Sequence, residues 1–257
     1  MTAHWAERVH VSQIQIRFRA RCDMASAARS AHQEFFALAA YEEQDTPWDI
    51  ASPQPRIETA LRARAFSQLK ARTAVDLGCG FGHHTRLLAE LGCEAVGLDV
   101  SHAAISSAQS RSREWVERAG NTTLPQFLQA DLLDSAAVGA AVGRRTFDVL
   151  LDAATFHCFD DEERGNYLQT LERLSHVGSH LLFLNFSDAT EGTGGSLPRR
   201  LTKDEVLTAF CETCGWRVLS IEPSRYLHGF VASDGGIQTT SDDAAPNAWL
   251  ALIARQQ

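Results

Sequence analysis

Five short apolar runs recur between residues 73 and 187: TAVDL (73–77), EAVGLDV (94–100), PQFLQAD (125–131), FDVLLDAA (147–154) and HLLFLNFS (180–187). Each is apolar enough to be buried on both faces, which is the pattern of strands in a parallel sheet covered from two sides. The stretches between them change rhythm to helical spacing. Leu87, Leu88 and Leu91 precede Gly92; Ile105, Ala108, Ser112, Trp115, Val116 and Ala119 precede Gly120; Leu168, Leu171 and Leu174 precede Gly178. Such spacing followed by glycine marks amphipathic helices with C-terminal caps. Strand and helix alternating in this way predict an α/β chain, a doubly wound parallel sheet with helices on both faces. After residue 215 the rhythm shifts again. WRVLSIEP (216–223) and AWLALIAR (248–255), separated by a polar loop, read as an antiparallel pair at the sheet edge.

At 257 residues and 44% hydrophobic content the chain has enough apolar mass for one large core. The expected division is an N-terminal extension over 1–23 and a single domain over 24–257, in which 24–70 is a helical cap and 71–257 the sheet-bearing core. The extension holds Arg8, Arg17, Arg19 and Arg21 but lacks the apolar run of a secretory signal. No apolar run approaches the roughly 20 residues of a membrane span. A formal net charge of −8 opposes attraction to nucleic-acid phosphates and to anionic lipid, so the expected partner is a small molecule, with no nucleic acid and no membrane. Scattered cysteines without a scaffold spacing fit reduced thiols and a cytoplasmic location. Cys211 and Cys214 form a CETC pair, but zinc takes about four ligands and no second pair completes the set. The alternative is that the two close the helix begun at Thr202, one of them facing the core, before a capping Gly215. No metal is expected.

The first strand runs into VDLGCGFG, residues 75–82. In an open α/β sheet ligands sit outside the carboxyl ends of the strands, and this loop occupies the first of those ends. A phosphate loop would follow GxxxxGK[ST], whereas Gly82 is followed by His83 and His84. A dinucleotide loop would follow GxGxxG, whereas Gly78, Gly80 and Gly82 alternate and Asp76 lies two residues ahead of them, where its charge disfavours a pyrophosphate. The acid favours a cation, and S-adenosylmethionine carries an ammonium and a sulfonium beside an adenosine. Asp99 closes the second strand, where an acid accepts hydrogen bonds from ribose hydroxyls; a helix N-cap is its other reading. Asp131 closes the third, able to accept from an adenine amino group while neighbouring backbone N–H groups meet the ring, or else a turn acid.

These residues resemble the class I S-adenosylmethionine-dependent methyltransferases. VDLGCGFG looks like their first motif, GLDVS their second-strand acid, QADLL their adenine contact and FDVLLDAATFH their fourth strand. TPWDIASPQPRI, FHCFDDEERGNYLQTL, FSD and the closing AWLAL resemble a subgroup related to thiopurine, halide/thiol and bacterial small-heterocycle methyltransferases. The resemblance implies a Rossmann-like sheet of seven strands with the last antiparallel, and S-adenosylmethionine as cofactor. It implies cofactor contacts from Trp48 over the methionine end and from Asp76, Gly78, Cys79, Gly80, Asp99, Val100, Asp131, Leu132 and Asp152. It also places the methyl acceptor at the fourth strand end.

That end carries DAATFHCFDDEE. Asp152 and His157 are the candidate catalytic residues, His157 because an imidazole titrates near neutrality, with a partly buried structural histidine as its other reading. Phe156, His157, Phe159 and Arg199 are the candidate acceptor contacts. The acids at 160–163 read as the dipole-favoured opening of a helix. Residues 187–200, with Gly192, Gly194, Gly195, Arg199 and Arg200, read as a lid with a cationic rim or a plain connection, ahead of a TKDE capping box. His83 and His84 read as solvent-facing or capping residues in the first turn of a helix. The expected activity is methyl transfer to an S, N or O nucleophile of a small molecule by a monomer or homodimer. The alternatives are an NAD-dependent oxidoreductase and a non-catalytic regulator that binds S-adenosylmethionine.

Overall fold

A computed structural model describes residues 46–119, 123–189, 198–231 and 237–256. The expected extension, the cap ahead of Thr46 and the glycine-rich part of the 187–200 segment lie outside the described residues. Helices α1 (Pro55–Arg62), α2 (His83–Glu90), α3 (His102–Ala119), α4 (Ser135–Val142), α5 (Asp161–Leu174) and α6 (Lys203–Ala209) are interleaved with strands β1 (Thr73–Leu77), β2 (Glu94–Asp99), β3 (Gln126–Gln129), β4 (Val149–Ala153), β5 (His180–Phe186), β6 (Trp216–Arg225), β7 (Gly229–Val231), β8 (Ile237–Thr239) and β9 (Asn247–Arg255).

Seven strands form one sheet in the order β3-β2-β1-β4-β5-β9-β6, and β7 pairs with β8 apart from it. The pairings β1–β2, β1–β4, β2–β3 and β4–β5 are parallel. β9 runs antiparallel to both β5 and β6. β6 therefore points the same way as β1 to β5, and its C-terminal end opens on the same edge of the sheet as the glycine loop.

Successive residues of the central strands serve opposite faces, as the two-residue period requires. Val75, Leu77, Leu150, Leu181 and Phe183 join a core with Tyr167, Leu171, Phe210 and Trp216 from the side of α5 and α6. Ala74, Val149, Leu151, Leu182 and Leu184 join a second core with Ile57, Leu61, Leu87 and Leu88 from α1 and α2. Each fully buried Leu, Val or Phe contributes about 1.5–3 kcal/mol, so helices on both faces are needed to shield strands this apolar.

Local chemistry sets the helix ends. Asp160 and Thr202 each make a capping box, with Glu163 and Glu205, so the acidic run at 160–163 does open a helix. Gly92 takes a left-handed φ of 91° directly after α2. Three local expectations need correction. The helix begun after Thr202 stops at Ala209, and Glu212–Cys214 forms a separate 3-10 turn before Gly215, with Cys211 half-buried and Cys214 exposed. α5 is capped at Ser175, not at Gly178, which sits in the turn into β5. The apolar run after Asp134 forms α4, and the 226–247 connection contains the β7–β8 hairpin.

Candidate active site

The end of β1 is a cradle of main chain. Gly78, Gly80 and Gly82 take φ of 69°, 51° and 76°, a region that costs other residues strain. At Gly78 the constraint is also steric, because a Cβ would lie 2.3 Å from Thr155 Oγ1, which donates to the Leu77 carbonyl at 2.7 Å. Gly82 would drive a Cβ to 2.5 Å from the Phe127 ring. Asp99, at the end of β2, accepts from the Gly80 N–H and from the Ser101 N–H, both at 2.9 Å, and so fixes the loop to the neighbouring strand. Asp76 lies beneath the loop, 1% exposed, and accepts from Thr85 Oγ1 at 2.6 Å.

Burial pushes the Asp76 carboxyl up to about 7, against the Thr85 hydrogen bond, and the charges of Asp99 and Asp152 add to it. Asp99 is pushed up to about 6, again by burial and against its backbone donors. Two buried acids behind a side-chain-free loop fit a ligand that brings positive charge and hydroxyl donors. Asp131 accepts from the Leu133 N–H at 2.9 Å, which is its turn reading, and stays half-buried at the end of β3. Val100 is half-buried and Leu132 buried in the core. The Cys79 side chain packs with Ile105, Ala108 and Phe127, so only its backbone faces the cradle.

The other half of the edge departs further from expectation. Asp152 is fully buried and its carboxylate accepts from Tyr167 Oη at 2.7 Å, Asn185 Nδ2 at 3.0 Å, the Thr155 N–H at 3.0 Å and the Phe156 N–H at 3.2 Å. These bonds fix the turn that follows β4 and occupy both carboxylate oxygens. Phe156 is 1% exposed, with its ring 5.7–5.9 Å from those of Phe183, Phe210 and Tyr167; it belongs to the core. Phe159 is half-buried beside Tyr167 at 5.1 Å. Arg199 pairs with Asp161, lies 3.5 Å from Glu205, and donates its backbone N–H to the His157 carbonyl at 2.7 Å, which ties it to the turn after β4.

His157 is 3% exposed, and its Nδ1 accepts from the Phe186 N–H at 3.1 Å. A backbone N–H is always a donor, so this nitrogen carries no proton and the neutral ring is protonated at Nε2. Neither nitrogen is then available to take a proton while that bond stands. The ring is packed in this state, and the backbone N–H of His157 donates to Asn185 Oδ1 at 3.1 Å.

Residues 46–54 form a strap between the two halves. Asp49 Oδ1 lies 3.0 Å from His83 Nε2, and Arg111 donates to Asp49 Oδ2 at 3.3 Å. Burial, the largest single influence, pushes the Asp49 carboxyl up, but His83, Arg111 and the Ala51 N–H together hold it below its ordinary range. His84 Nε2 accepts from the Gln54 N–H at 3.0 Å, and burial lowers its pKa to about 3. His83 and His84 are therefore strap anchors, not solvent-facing residues. On the far side, the Gln54 side chain clamps both backbone groups of Leu227 at 2.9 Å, and the Gly229 N–H donates to the Pro47 carbonyl at 2.7 Å. Trp48 packs from this strap against the second core.

Sequence reasoning missed Gln54, Tyr167, Asn185, Tyr226 and His228. Tyr226 and His228 follow β6 directly, and the signal that finds them is strand direction: once β6 is parallel to β1, its end belongs to the site. Among the described residues no set of three His, Cys, Asp or Glu side chains is arranged to hold a metal ion, and no helix is long and apolar enough to cross a membrane.

With this geometry in view, a family described as a methyltransferase domain matches residues 74–178. A 2-heptyl-1-hydroxyquinolin-4(1H)-one methyltransferase of Mycobacteroides abscessus is 29% identical over 209 residues, 80% of this chain and 85% of that protein. A probable thiol methyltransferase 2 of Arabidopsis thaliana is 27% identical over 155 residues, 60% of this chain and 62% of that protein. Among solved structures, one described as the conversion of a disulfide bond into a thioacetal group during echinomycin biosynthesis is 28% identical, with a TM-score of 0.60 over 82% of this chain and 85% of that one. An S-adenosylmethionine-dependent methyltransferase from Anabaena variabilis has the same fold, with a TM-score of 0.62 at 17% identity over 90% of this chain and 96% of that one.

Proposed function

We propose that this chain, a class I S-adenosylmethionine-dependent methyltransferase, methylates an S, N or O nucleophile on a small organic acceptor held at the ends of β4, β5 and β6. The observation that carries the reading is the glycine cradle tied to Asp99 at one strand end, with a second buried acid, Asp76, beneath it. When bound, S-adenosylmethionine supplies a sulfonium-activated methyl group, which an acceptor lone pair captures as the carbon–sulfur bond breaks and leaves its electron pair on sulfur.

The residues of the chain hold and shield. Asp99 offers its remaining lone pairs to ribose hydroxyls, Asp131 its second oxygen to the adenine amino group, and Asp76 a negative potential under the methionine end. Trp48 on the strap and the loop after β6 exclude water from the reacting atoms. No metal is needed for a methyl group that is already electrophilic. The hydroxylated heterocycle in the name of the Mycobacteroides relative and the thiol in that of the Arabidopsis relative are the first acceptors to test.

Calorimetry with S-adenosylhomocysteine and with NADH separates this reading from an oxidoreductase; tight NADH binding without S-adenosylhomocysteine binding rejects it. Turnover on a panel of thiols, phenols and hydroxylated heterocycles, read as a 14 Da mass gain, separates an enzyme from a ligand-binding regulator.

A further inference from the structure

The end of β6 carries a cluster that the cofactor cradle does not use. The Phe186 ring, at the end of β5, lies 4.4 Å from the His157 ring, 5.5 Å from Tyr226 and 5.6 Å from His228, and the last two are 6.0 Å apart. Phe186, Tyr226 and His157 are buried, whereas His228 is half-buried and forms the open side of the corner. Its backbone is fixed, with the N–H donating to Thr240 Oγ1 at 3.1 Å and the carbonyl accepting from the Thr240 N–H at 2.9 Å. Its ring is not: among the described residues no hydrogen bond reaches either ring nitrogen, although His83, His84 and His157 each accept one. A half-buried imidazole on a fixed backbone, with its ring nitrogens open to a hydrogen bond, is a group that a polar ligand atom can address.

The surroundings define that ligand. Behind the imidazole stand two aromatic rings, which favour a flat, polarisable partner. Among the titratable groups, Tyr226 lies beside His228 at the end of β6, the Arg200 guanidinium acts on it electrostatically from the segment after β5, and His157 stands across the Phe186 ring. Burial and the Arg200 guanidinium lower the His228 pKa to about 4, so the ring stands neutral and ready to accept a hydrogen bond. Leu227, between Tyr226 and His228, is clamped through both its backbone groups by the Gln54 side chain at 2.9 Å. The corner therefore lies at the sheet edge on which the glycine loop also opens, beside the strap whose Pro47 carbonyl accepts from the Gly229 N–H.

We propose that this corner seats the acceptor: a planar aromatic or heteroaromatic molecule lies against Phe186 and Tyr226, its ionisable O–H, N–H or S–H donates to His228, and the charge left behind faces Arg200. The inference rests on the methyl-transfer reading and names its substrate class and proton-accepting group. The acceptor's proton passes to the free imidazole nitrogen and from there to solvent. An imidazole of low basicity suffices, because the acceptor atom becomes strongly acidic as its lone pair is committed to a new bond.

The test uses para-nitrophenol, whose phenolate absorbs visible light, with the full chain saturated in S-adenosylhomocysteine. Binding of S-adenosylhomocysteine by calorimetry checks the underlying reading first, and its absence would sink that reading regardless of His228. With it bound, para-nitrophenol is expected to bind. In His228→Phe the affinity should fall about 10-fold. In His228→Gln, which keeps a hydrogen bond but takes no proton, affinity should hold within a few-fold while methylation of a verified acceptor falls by about 10²- to 10⁴-fold and the acidic limb of kcat/KM disappears. The proposal is overturned if the wild-type complex does not bind para-nitrophenol, or if His228→Gln retains wild-type turnover and pH profile. Having two variants keeps it exposed even if the phenylalanine fails to fold.

Discussion

Along the edge of the sheet, the ends of β1 and β2 and the ends of β4, β5 and β6 are assembled by different means. On the first side the interacting groups sit within two short stretches of sequence: Gly78, Gly80 and Gly82 belong to one loop, and Asp99 holds Gly80 and Ser101 by backbone donors. On the second side nearly every contact crosses the chain. Asp152 is held by Tyr167 from α5 and Asn185 from β5, His157 by Phe186, and Tyr226 and His228 are fastened to the strap through Gln54 and Pro47. A cradle built from backbone tolerates almost no side chain, whereas a seat built from side chains can be reshaped one residue at a time.

The largest effect should come from the cradle. Gly80→Val adds a branched side chain at a φ of 51°, and S-adenosylhomocysteine affinity should fall on the order of 100-fold or more while circular dichroism stays native. Unchanged calorimetry in a folded variant would remove the loop from the site. Next, Asp99→Ala should weaken the same ligand by about 10- to 100-fold, the roughly 1.5–3 kcal/mol of a charged hydrogen bond. A loss confined to acceptor KM would place Asp99 on the wrong side of the comparison.

Asn185→Ala probes the opposite side. It strips a donor from buried Asp152 and the acceptor from the His157 N–H, and should cost about 1–3 kcal/mol of stability in urea melts. Turnover should fall more than S-adenosylhomocysteine affinity, and equal losses in both would mean that the two halves are not separately built. Gln54→Ala, which cuts the strap from Leu227, should cost about 1 kcal/mol and raise acceptor KM with little change at the cradle.

The smallest expected effect is a pH dependence of the apo protein. Asp76 and Asp99 have folded pKa values of about 7 and about 6, above the roughly 3.9 of an unfolded aspartate. A raised folded value means that the native state holds protons more tightly than the unfolded one. The associated stability is present below pH ~4 and is lost as pH rises through 6 and 7. Thermal melts of the ligand-free protein should therefore fall between pH 5 and pH 8. Asp76→Asn should flatten the slope, and so should saturating S-adenosylmethionine, whose charge favours the ionised acids. A slope that survives both would point to groups away from the cradle.

What the sequence determined by itself is the sheet and the cradle. TAVDL, EAVGLDV and HLLFLNFS coincide with β1, β2 and β5 to within a residue, because a strand buried on both faces can be read from its own composition. The glycine loop was legible for a related reason: its function is a property of its own backbone, and alternate glycines carry that information locally. The acceptor side resisted such reading. His157 is an attractive base in one dimension, and only the approach of the Phe186 N–H, 29 residues on, occupies its Nδ1. Asp152 and Phe156 stand at a strand end like any site residue, yet Tyr167, Asn185, Phe183 and Phe210 close over them. Tyr226 and His228 reach the edge of the glycine loop because β9 lies between β5 and β6 and returns β6 to the parallel direction, a decision made by strand pairing and not by any residue near position 226. Hydrophobic period and backbone freedom are local quantities that a sequence carries openly. The free or occupied state of a ring nitrogen, and the direction in which a distant strand ends, are set by partners that only the folded chain brings within hydrogen-bonding distance.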